Sequence, residues 1–293
     1  MKNKLPLFAV PYVGWLALFV VAPILIMVVY AFSTASGGFT LDNFSRMGTY
    51  AAVFIRSFKL AIVATLVCLL IGYPLSYVLS KEGPRTQRVA MVLIMLPMWM
   101  NFLLRTYSWM SILENNGLLN QLFQQIGLID LYNQIAMHFA SDPAAYVPID
   151  HFQMIGTQGA VVLGMVYNYL PFMILPIYSV LVKLDHSLIE AARDLGASSV
   201  QVFRKVILPL SLPGVLSGIT MVFVPSVSTF AISRLLGGGT QMMLGDLIEQ
   251  QFLGGAYNPQ LGAAIALVMM AIVVVCMLVM NRFGDGEEQA VML

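Results

Sequence analysis

Residues 184–213 read Leu-Asp-His-Ser-Leu-Ile-Glu-Ala-Ala-Arg-Asp-Leu-Gly-Ala-Ser-Ser-Val-Gln-Val-Phe-Arg-Lys-Val-Ile-Leu-Pro-Leu-Ser-Leu-Pro, a polar stretch within an apolar chain. Ser187 and Glu190 have the Ser-x-x-Glu spacing of a capping box, in which each side chain accepts a hydrogen bond from an amide at a helix start. This spacing predicts a helix that begins near Ser187. Gly196 lies where the end of that helix requires the left-handed backbone conformation, which glycine adopts without steric cost.

A second helix is predicted to follow Gly196. Ser198 and Gln201 have the spacing of another capping box. An apolar face then recurs at helical spacing, and it consists of Val202, Phe203, Val206 and Ile207. The residue before a proline is disfavoured in the helical conformation, so this helix is expected to end before Pro209. The stretch therefore predicts two short helices joined at a glycine.

The composition of the whole chain indicates a membrane protein. The 293 residues are 59% hydrophobic and 10% charged, with a mean hydropathy of +0.84, and a soluble globule of this size needs a more polar surface. The formal net charge of +1 indicates no preference for nucleic acid or for acidic substrates. Cys68 and Cys276 lie in separate apolar runs, and they predict neither a disulfide framework nor a metal site.

The sequence contains no recognisable catalytic or nucleotide-binding motif. A Walker A loop, a His-Glu-x-x-His helix and a Gly-x-Ser-x-Gly turn are all absent from it. His138, His151 and His186 are scattered along the chain without the spacing of metal ligands. The chain is therefore predicted not to be an enzyme and to bind no metal or cofactor of its own.

Six apolar runs predict an all-α membrane protein in which residues 1–293 form a single transmembrane domain. A helix needs about 20 apolar residues to cross the roughly 30 Å hydrocarbon core of a bilayer. The predicted spans are 5–32, 58–79, 89–112, 157–182, 213–233 and 262–280. The first run has the alternative interpretation of a cleavable signal peptide, but it is longer than the roughly 7 to 15 apolar residues of such a peptide.

The distribution of basic residues predicts the orientation of the chain. Ten Lys and Arg residues lie on the side of the two termini: Lys2, Lys4, Lys81, Arg85, Arg88, Lys183, Arg193, Arg204, Lys205 and Arg282. Five lie on the other side: Arg46, Arg56, Lys59, Arg105 and Arg234. Because basic residues accumulate in cytoplasmic loops, both termini and the loop 184–212 are expected in the cytoplasm.

The longest connection, 114–156, is predicted to lie on the outer side of the membrane. It contains no Lys or Arg, and its acidic residues are Glu114, Asp130, Asp142 and Asp150. From 118 to 126, apolar residues recur at helical spacing among Asn and Gln residues. This pattern predicts a short amphipathic helix that rests on the bundle or on the membrane interface.

The polar stretch also resembles a known family. Glu190-Ala191-Ala192, Gly196 and Ile207-Leu208-Pro209 are similar to the Glu-Ala-Ala…Gly…Ile-x-Leu-Pro signature of the permease subunits of ATP-binding-cassette importers. In that family the loop is a coupling helix that docks on a separate ATPase. The resemblance therefore implies that this contact is made by Glu190, Ala191, Ala192, Leu195 and Gly196. An ordinary interfacial loop is the alternative interpretation.

Stretches outside the loop are similar to the spermidine and putrescine permeases of that family. They are Gly14-Trp15-Leu16, 39–44, 71–77 and 170–176. The resemblance implies a polyamine importer, whereas related permeases for ferric iron and sulfate fit these stretches less well. Arg234 departs from the pattern, because relatives often carry an acidic residue at that position. A fixed cation near a pathway opposes the passage of polyamines, so this residue argues against a polyamine substrate.

The resemblance further implies a set of partners in the bacterial inner membrane. ATP and Mg²⁺ are expected on two copies of a partner ATPase, since this chain has no nucleotide-binding motif. A second permease subunit, expected to be a related chain, and an extracytoplasmic polyamine-binding protein complete the expected complex. Membrane lipid surrounds it, and no nucleic-acid partner is expected.

Polar and aromatic residues at membrane depth predict a substrate pathway. Such polar groups are costly unless they face a wet cavity or the interior of the bundle, and aromatic faces attract organic cations. The predicted lining residues are Trp99, Asn101, Tyr107, Trp109, Tyr167, Asn168, Tyr169, Ser226, Ser228 and Thr229. The alternative roles are interfacial anchoring for the aromatic residues and hydrogen bonds between helices for Asn101 and Asn168.

Two further alternatives concern acidic residues. Asp246 and Glu249, near the outer ends of spans, either attract a cationic substrate, contact an external binding protein, or are exposed and solvated as most loop charges are.

An ATP-independent transporter or channel is an alternative function. No Asp or Glu lies in the middle of a predicted span, which argues against an ion-coupled transporter.

Overall fold

The computed structural model describes residues 5–139 and 146–291. Lys2, Lys4 and Asp142, which entered the charge analysis, lie outside the described residues. The α-helices are α1 (Leu5–Leu16), α2 (Ala22–Ala31), α3 (Asp42–Arg46), α4 (Ala51–Lys81), α5 (Pro84–Trp99), α6 (Phe102–Leu113), α7 (Leu118–Gln125), α8 (Leu128–Phe139), α9 (Gln158–Leu181), α10 (His186–Asp194), α11 (Ser199–Val202), α12 (Leu208–Ser228), α13 (Ala231–Leu236), α14 (Leu244–Leu253) and α15 (Pro259–Val291). The all-α class predicted from the composition is confirmed.

Among the described residues, five helical segments are long and apolar enough to cross a membrane, and a bent pair of helices adds a sixth candidate. The five are Val10–Ala31, Asp42–Lys81, Gln158–Leu181, Ser199–Ser228 and Pro259–Met280. Each overlaps one of the predicted spans, although α4 begins several residues before position 58 and α15 continues beyond position 280.

The predicted third span, 89–112, is a bent pair of helices in the structure. Its two parts, α5 and the segment Phe102–Gln125, meet at an angle of 89°. Met100 and Asn101 are extended, and the Asn101 side chain accepts a hydrogen bond from the amide of Leu103 at 2.8 Å. Asn101 thus caps a new helix, because its side chain satisfies an amide that lacks a partner within the first turn. The aromatic and polar half of this span consequently turns away from the direction of α5.

Pro209 does not end the helix that precedes it, contrary to the prediction. Residues Phe203–Ile207 form a π-helical turn that continues directly into α12, in which Pro209 occupies the first turn. A proline ring clashes with the carbonyl group four residues earlier, and a wider turn accommodates that clash. Ala17–Val21 forms the same kind of turn just before Pro23. The local widening therefore keeps the chain helical through both prolines.

The centre of the molecule is the packing of α4, α9 and α12 against one another. Gly214 and Gly218 of α12 allow the closest approach to α9. A Cβ atom at Gly214 would lie 2.8 Å from the carbonyl oxygen of Pro176, and one at Gly218 would lie 2.8 Å from Sδ of Met173. Small residues at such crossings favour helix association in membranes, where the hydrophobic effect does not drive it.

The fifth span ends earlier than the predicted residue 233. Thr229 is extended with ψ 141°, and the chain then forms the separate helix α13. Ile232 and Leu236 of α13 are fully buried in a cluster with Val161 and Met165 of α9. The burial of these two side chains favours a turn back across α9 over continuation of α12.

The described part of the connection 114–156 contains the helices α7 and α8, of which only α7 was predicted from the sequence. The Asn120 side chain fixes α7 to the returning chain, because its amide donates to the Phe152 carbonyl at 3.0 Å and its oxygen accepts from the Phe152 amide at 2.9 Å. Asn120 is 1% exposed, so this pair of hydrogen bonds is shielded from water.

Candidate coupling surface and substrate pathway

The helix α10 begins one residue earlier than predicted, and its cap is different. Asp185 is the N-cap, and its Oδ1 accepts a hydrogen bond from the amide of Ser187 at 2.9 Å. The predicted Ser187–Glu190 capping box is therefore wrong. A carboxylate two residues before Ser187 caps the first turn and interacts favourably with the helix dipole. Glu190 is left exposed on the helix surface.

The end of α10 confirms the role predicted for Gly196. Gly196 has φ +82°, its amide donates to the carbonyl of Arg193 at 2.8 Å, and the amide of Ala197 donates to the carbonyl of Ala192 at 3.1 Å. These two bonds define a Schellman motif, which requires the left-handed conformation at the glycine. Apart from its two chain neighbours, no heavy atom of the described residues lies within 4 Å of a Cβ placed there. The glycine is therefore needed for its backbone conformation.

The second predicted cap is also confirmed. The amide of Ser198 donates to Oε1 of Gln201 at 2.8 Å, and the amide of Gln201 donates to Oγ of Ser198 at 3.4 Å. This reciprocal pair satisfies two amides at the start of α11. Together with the Schellman motif it fixes both ends of the turn between α10 and α11.

The two faces of α10 have different environments. Ile189 and Ala192 pack against a buried cluster that includes residues of α4, α9 and α12. The exposed residues of the helix include Leu188, Glu190 and Ala191, together with the charged Arg193 and Asp194, and Leu195 directly after the helix is exposed as well. Leu188 is 47% exposed and Leu195 is 90% exposed. An exposed leucine beside small residues on a fixed helix is a surface suited to docking.

Aromatic contacts connect this loop to the central helices. The ring of Phe203 packs edge-on against Tyr73 and Tyr77 of α4, with ring centroids 5.9 Å and 5.6 Å away. The Tyr73 and Ser211 hydroxyl oxygens are 2.9 Å apart and form a buried hydrogen bond between α4 and α12. Phe203 thus packs the chain that follows α11 against α4, and the Tyr73–Ser211 hydrogen bond joins α4 to α12.

The predicted pathway residues fall into two groups. Trp99, Asn101 and Tyr107 are exposed at or near the bend between α5 and α6. Trp99 is 73% exposed and Tyr107 is 46% exposed. Tyr167 of α9 is half-buried, and its ring contacts Trp109 of α6 at a centroid distance of 5.3 Å. This first group offers aromatic faces at the surface of the chain.

The second group lies in the interior of the chain. Asn168, Ser226 and Thr229 are buried, and Tyr169 is half-buried. Asn168 donates to the carbonyl of Gly164 at 2.8 Å, and Ser226 donates to the carbonyl of Val222 at 2.7 Å, so both bonds stay within their own helices. The structure therefore does not place these residues on a common surface with Trp99.

A cluster of charged residues joins α13 to α14 on the predicted outer side. Arg234 forms a two-point ion pair with Glu249, in which Nη1 and Oε1 are 3.2 Å apart. Asp246 is 4% exposed, accepts hydrogen bonds from the Ser233 hydroxyl and the Met243 amide, and lies 3.9 Å from Nε of Arg234. The interpretation of Asp246 as a solvated loop charge is wrong, because the turn between α13 and α14 encloses it.

The surroundings of Asp246 raise the pKa of its carboxyl group. Burial raises the pKa of its carboxyl group, while the hydrogen bonds from Ser233 and Met243 and the charge of Arg234 act in the opposite direction with a smaller total effect. The positive charge of Arg234 is offset by Glu249, so this residue does not present an isolated cation.

Residues 69–286 match the family described as "Binding-protein-dependent transport system inner membrane component". The chain belongs to this family. The permease is 36% identical over 281 residues to the spermidine/putrescine transport system permease protein PotB of Escherichia coli K12, which covers 93% of this chain and 95% of that protein. It is 35% identical to the PotB protein of Haemophilus influenzae, with 94% and 93% of the two chains covered.

The permease also shares its fold with a solved transporter. A bacterial ATP-binding-cassette transporter involved in the import of the acidic polysaccharide alginate contains a chain that superposes with a TM-score of 0.72. The identity is 17%, and the superposition covers 96% of this permease and 94% of that chain. At this identity the likeness concerns the fold alone.

One charged residue of the permease was not assigned a role from the sequence. Arg105 of α6 is 8% exposed, and its Nε and Nη1 atoms are buried without a hydrogen-bond partner among the described residues. The sequence contained a signal for it, because an arginine inside an apolar span without a neighbouring acidic residue is a candidate functional residue. Within the described part of the chain, no group of three His, Cys, Asp or Glu side chains is placed to hold a metal ion.

Proposed function

We propose that this permease is one of two membrane subunits of an ATP-driven importer for polyamines, and that α10 couples it to a separate ATPase. The observation that carries the proposal is the exposed face of α10. That face is held in a fixed orientation by Asp185 at one end and by the Gly196 turn at the other.

The coupling role is supported by the chemistry of that face. The small side chain of Ala191 permits a close approach of a partner surface, and Leu195 supplies an apolar group for a partner pocket. Full burial of a leucine stabilises a contact by about 1.5–3 kcal/mol. Glu190 adds a charge that selects a basic partner region. Ile189 and Ala192 hold the other face on the inner ends of the membrane helices, so the ATPase would displace α4 and α12 through this contact.

The proposed complex contains several other components. Two ATPase copies would bind ATP and Mg²⁺, and a related second permease subunit would complete the pathway. A substrate-binding protein on the outer side follows from the family to which the chain belongs. The orientation with both termini in the cytoplasm rests on the excess of basic residues on that side.

A polyamine substrate is supported by two observations. The relatives at 35% and 36% identity, aligned over almost their whole length, are named as spermidine/putrescine permeases. Arg234, which seemed to oppose the passage of cations, is paired with Glu249. We propose that the exposed rings of Trp99 and Tyr107, together with Tyr167, face the pathway and attract the ammonium groups by cation–π contacts.

The coupling role is tested by co-purification with the ATPase. The change Leu195→Asp should abolish co-purification, because it places a charge in an apolar contact. The matched control is Leu253→Asp, which changes a leucine that is 82% exposed on the predicted outer side. Retention of the ATPase by the Leu195→Asp complex, at normal expression, would rule out α10 as the coupling contact.

The substrate is tested in proteoliposomes that contain the complete complex and the binding protein. Spermidine or putrescine should stimulate ATP hydrolysis, whereas sulfate and ferric ion should not. Trp99→Leu should lower polyamine uptake, and Trp15→Leu, which changes another exposed tryptophan in α1, serves as the control. Uptake that proceeds at the same rate without ATP would instead support the channel or ATP-independent transporter.

A further inference from the structure

Two grooves follow one another along the surface of α4. The outer groove, of about 570 Å³, lies between α4 and α15, and its lining residues include Ile55, Lys59, Val63 and Ile272. The inner groove, of about 380 Å³, lies between α4, α12 and α15, and its lining residues include Thr65, Leu69, Phe223 and Val279. Ile62 lines both grooves, so they adjoin at that residue.

Both grooves are apolar except at one position. Of the described residues that line either groove, only Lys59 carries a charge. Ile55 is 69% exposed and Ile62 is 48% exposed, so apolar side chains are open to the surroundings of the chain. The Thr65 hydroxyl in the inner groove already donates to the carbonyl of Ala61 at 2.7 Å. The grooves are therefore suited to a hydrocarbon chain and not to a polar solute.

The position of Lys59 along α4 places its side chain near one surface of the membrane. Lys81 ends α4 on the predicted cytoplasmic side, and residues 60–80 carry no charge. At a rise of about 1.5 Å per residue the two lysines are about 33 Å apart, close to the roughly 30 Å thickness of the hydrocarbon core. Side chains on a helix lean toward its N-terminus, so the Lys59 ammonium group extends to the predicted outer headgroup region. The inner groove then lies at the depth of the lipid chains.

Arg56 lies one turn before Lys59, and neither cation has an acidic partner. The Lys59 ammonium group donates to Oε1 of Gln158 at 3.4 Å, and Nη1 of Arg56 donates to the carbonyl of Thr240 at 3.1 Å. Both acceptors are uncharged, and none of the ion pairs among the described residues includes Arg56 or Lys59. The two acceptors belong to adjacent segments, because the Thr240 hydroxyl donates to the carbonyl of Gly156 at 3.0 Å. Two positive charges without a counter-charge are therefore close together at the outer end of the grooves.

We propose that the two grooves bind an anionic phospholipid of the outer leaflet. Its phosphate group lies against Lys59 and Arg56, and one acyl chain occupies the outer and inner grooves. Charge complementarity identifies this occupant, because a phosphate supplies both the negative charge and the oxygen acceptors that the two cations lack. From Ile55 to Leu69 the helix rises by about 21 Å, which exceeds the roughly 15 Å that one leaflet contributes to the hydrocarbon core. The inference does not depend on which solute is transported.

Native mass spectrometry of the complete complex in detergent tests the headgroup contact. Dipalmitoyl-phosphatidylglycerol, whose headgroup is anionic, should bind more tightly than dipalmitoyl-phosphatidylcholine, in which an ammonium group offsets the phosphate. Lys59→Gln and Arg56→Gln should each lower the phosphatidylglycerol affinity by about fivefold, as expected for one basic residue at an anionic lipid. Arg46→Gln is the matched control, because it removes a cation of the predicted outer side that Asp42 already pairs at 2.7 Å. It should leave the affinity unchanged.

A substitution within the grooves tests the acyl-chain contact. Ile62→Trp narrows both grooves at the point where they adjoin. It should lower the affinity for dipalmitoyl-phosphatidylglycerol by about tenfold, because part of the chain loses its apolar contacts. It should leave the affinity for dihexanoyl-phosphatidylglycerol unchanged, since those chains are too short to fill the inner groove. Leu70→Trp is the matched control, at a leucine of α4 that is 74% exposed and lines neither groove.

Three results would overturn the proposal. Equal affinities of the wild-type complex for the two dipalmitoyl lipids would exclude a site for an anionic headgroup. An equal loss of affinity with Arg46→Gln and Lys59→Gln would mean that only the overall charge of the outer side matters. Loss of the second permease subunit from the Ile62→Trp complex, visible in the same spectra, would assign the grooves to a contact between subunits. None of these measurements requires transport, so failure of the proposed polyamine substrate is separable from failure of the lipid site.

Discussion

Gly196 provides a test that separates the shape of the coupling loop from its contact with a partner. Its φ of +82° is unfavourable for residues with a Cβ, at a cost of about 1–2 kcal/mol for most of them. Asparagine tolerates this conformation better, although its side chain is larger than that of alanine. Among the described residues other than its two chain neighbours, no atom lies within 4 Å of a Cβ at Gly196, so the Cβ of either substitution has open space.

The two substitutions are therefore expected to differ in a defined order. If the loop acts through its backbone conformation, Gly196→Ala should weaken binding of the ATPase by about 5- to 30-fold, which corresponds to 1–2 kcal/mol. Gly196→Asn should weaken it less. The measurement is a titration of the detergent-purified permease complex with the ATPase, accompanied by ATP-dependent uptake in proteoliposomes.

The reverse order would refute this reasoning. If Gly196→Asn weakens binding more than Gly196→Ala, the glycine is required because the partner packs closely against it. Equal binding by wild type and Gly196→Ala would mean that the Schellman turn does not determine the orientation of α10. Expression and membrane insertion of each variant, measured in the same preparations, separate these outcomes from a failure to fold.

Three further predictions concern stability, measured by thermal melting in detergent. Gly218→Ala places a Cβ 2.8 Å from Sδ and 3.1 Å from the carbonyl oxygen of Met173. The resulting overpacking should lower the free energy of unfolding by about 1–3 kcal/mol. Gly159→Ala is the control, because the nearest atom to its Cβ is 3.7 Å away. Ser233→Ala removes a hydrogen bond to the buried Asp246 and should cost about 1–3 kcal/mol, whereas an unchanged melting temperature would exclude that role. Because burial raises the pKa of Asp246, the folded chain binds this proton more tightly than the unfolded chain. The stability of the folded chain should therefore fall as the pH rises from 3.8, the ordinary pKa of the carboxyl group, through the pKa of Asp246 in the folded chain. Asp246→Asn should remove this pH dependence.

Local signals along the sequence predicted the elements that depend on neighbouring residues. The Gly196 turn and the Ser198–Gln201 cap were predicted correctly, because each is formed by backbone and side-chain groups at fixed separations of a few residues. The Ser187–Glu190 cap was not, since the Ser187 amide, which Glu190 would accept in that box, donates to Asp185 instead. Pro209 showed the limit of a local rule, because a π-helical turn absorbs the proline within a continuous helix.

The pairing and burial of the charged residues could be determined only from the tertiary structure. Asp246, Arg234 and Glu249 looked like independent loop charges, but the turn between α13 and α14 brings them together and buries the first of them. The pairing depends on where Ile232 and Leu236 pack against α9, and no spacing along the sequence encodes that contact. The division of the predicted pathway residues into exposed and buried groups likewise depends on which helices pack together.

The sequence by itself determined the membrane environment, the approximate spans, the polar loop with its glycine turn and the resemblance to importer permeases. These follow from composition and from short-range spacing, which any fold of the chain must respect. Only the tertiary structure decided which face of α10 remains exposed, where the third and fifth spans break, and that two guanidinium nitrogens of Arg105 are buried without a hydrogen-bond partner among the described residues. These properties depend on which helices pack together, because burial and charge balance are set by neighbours in space and not by neighbours in sequence.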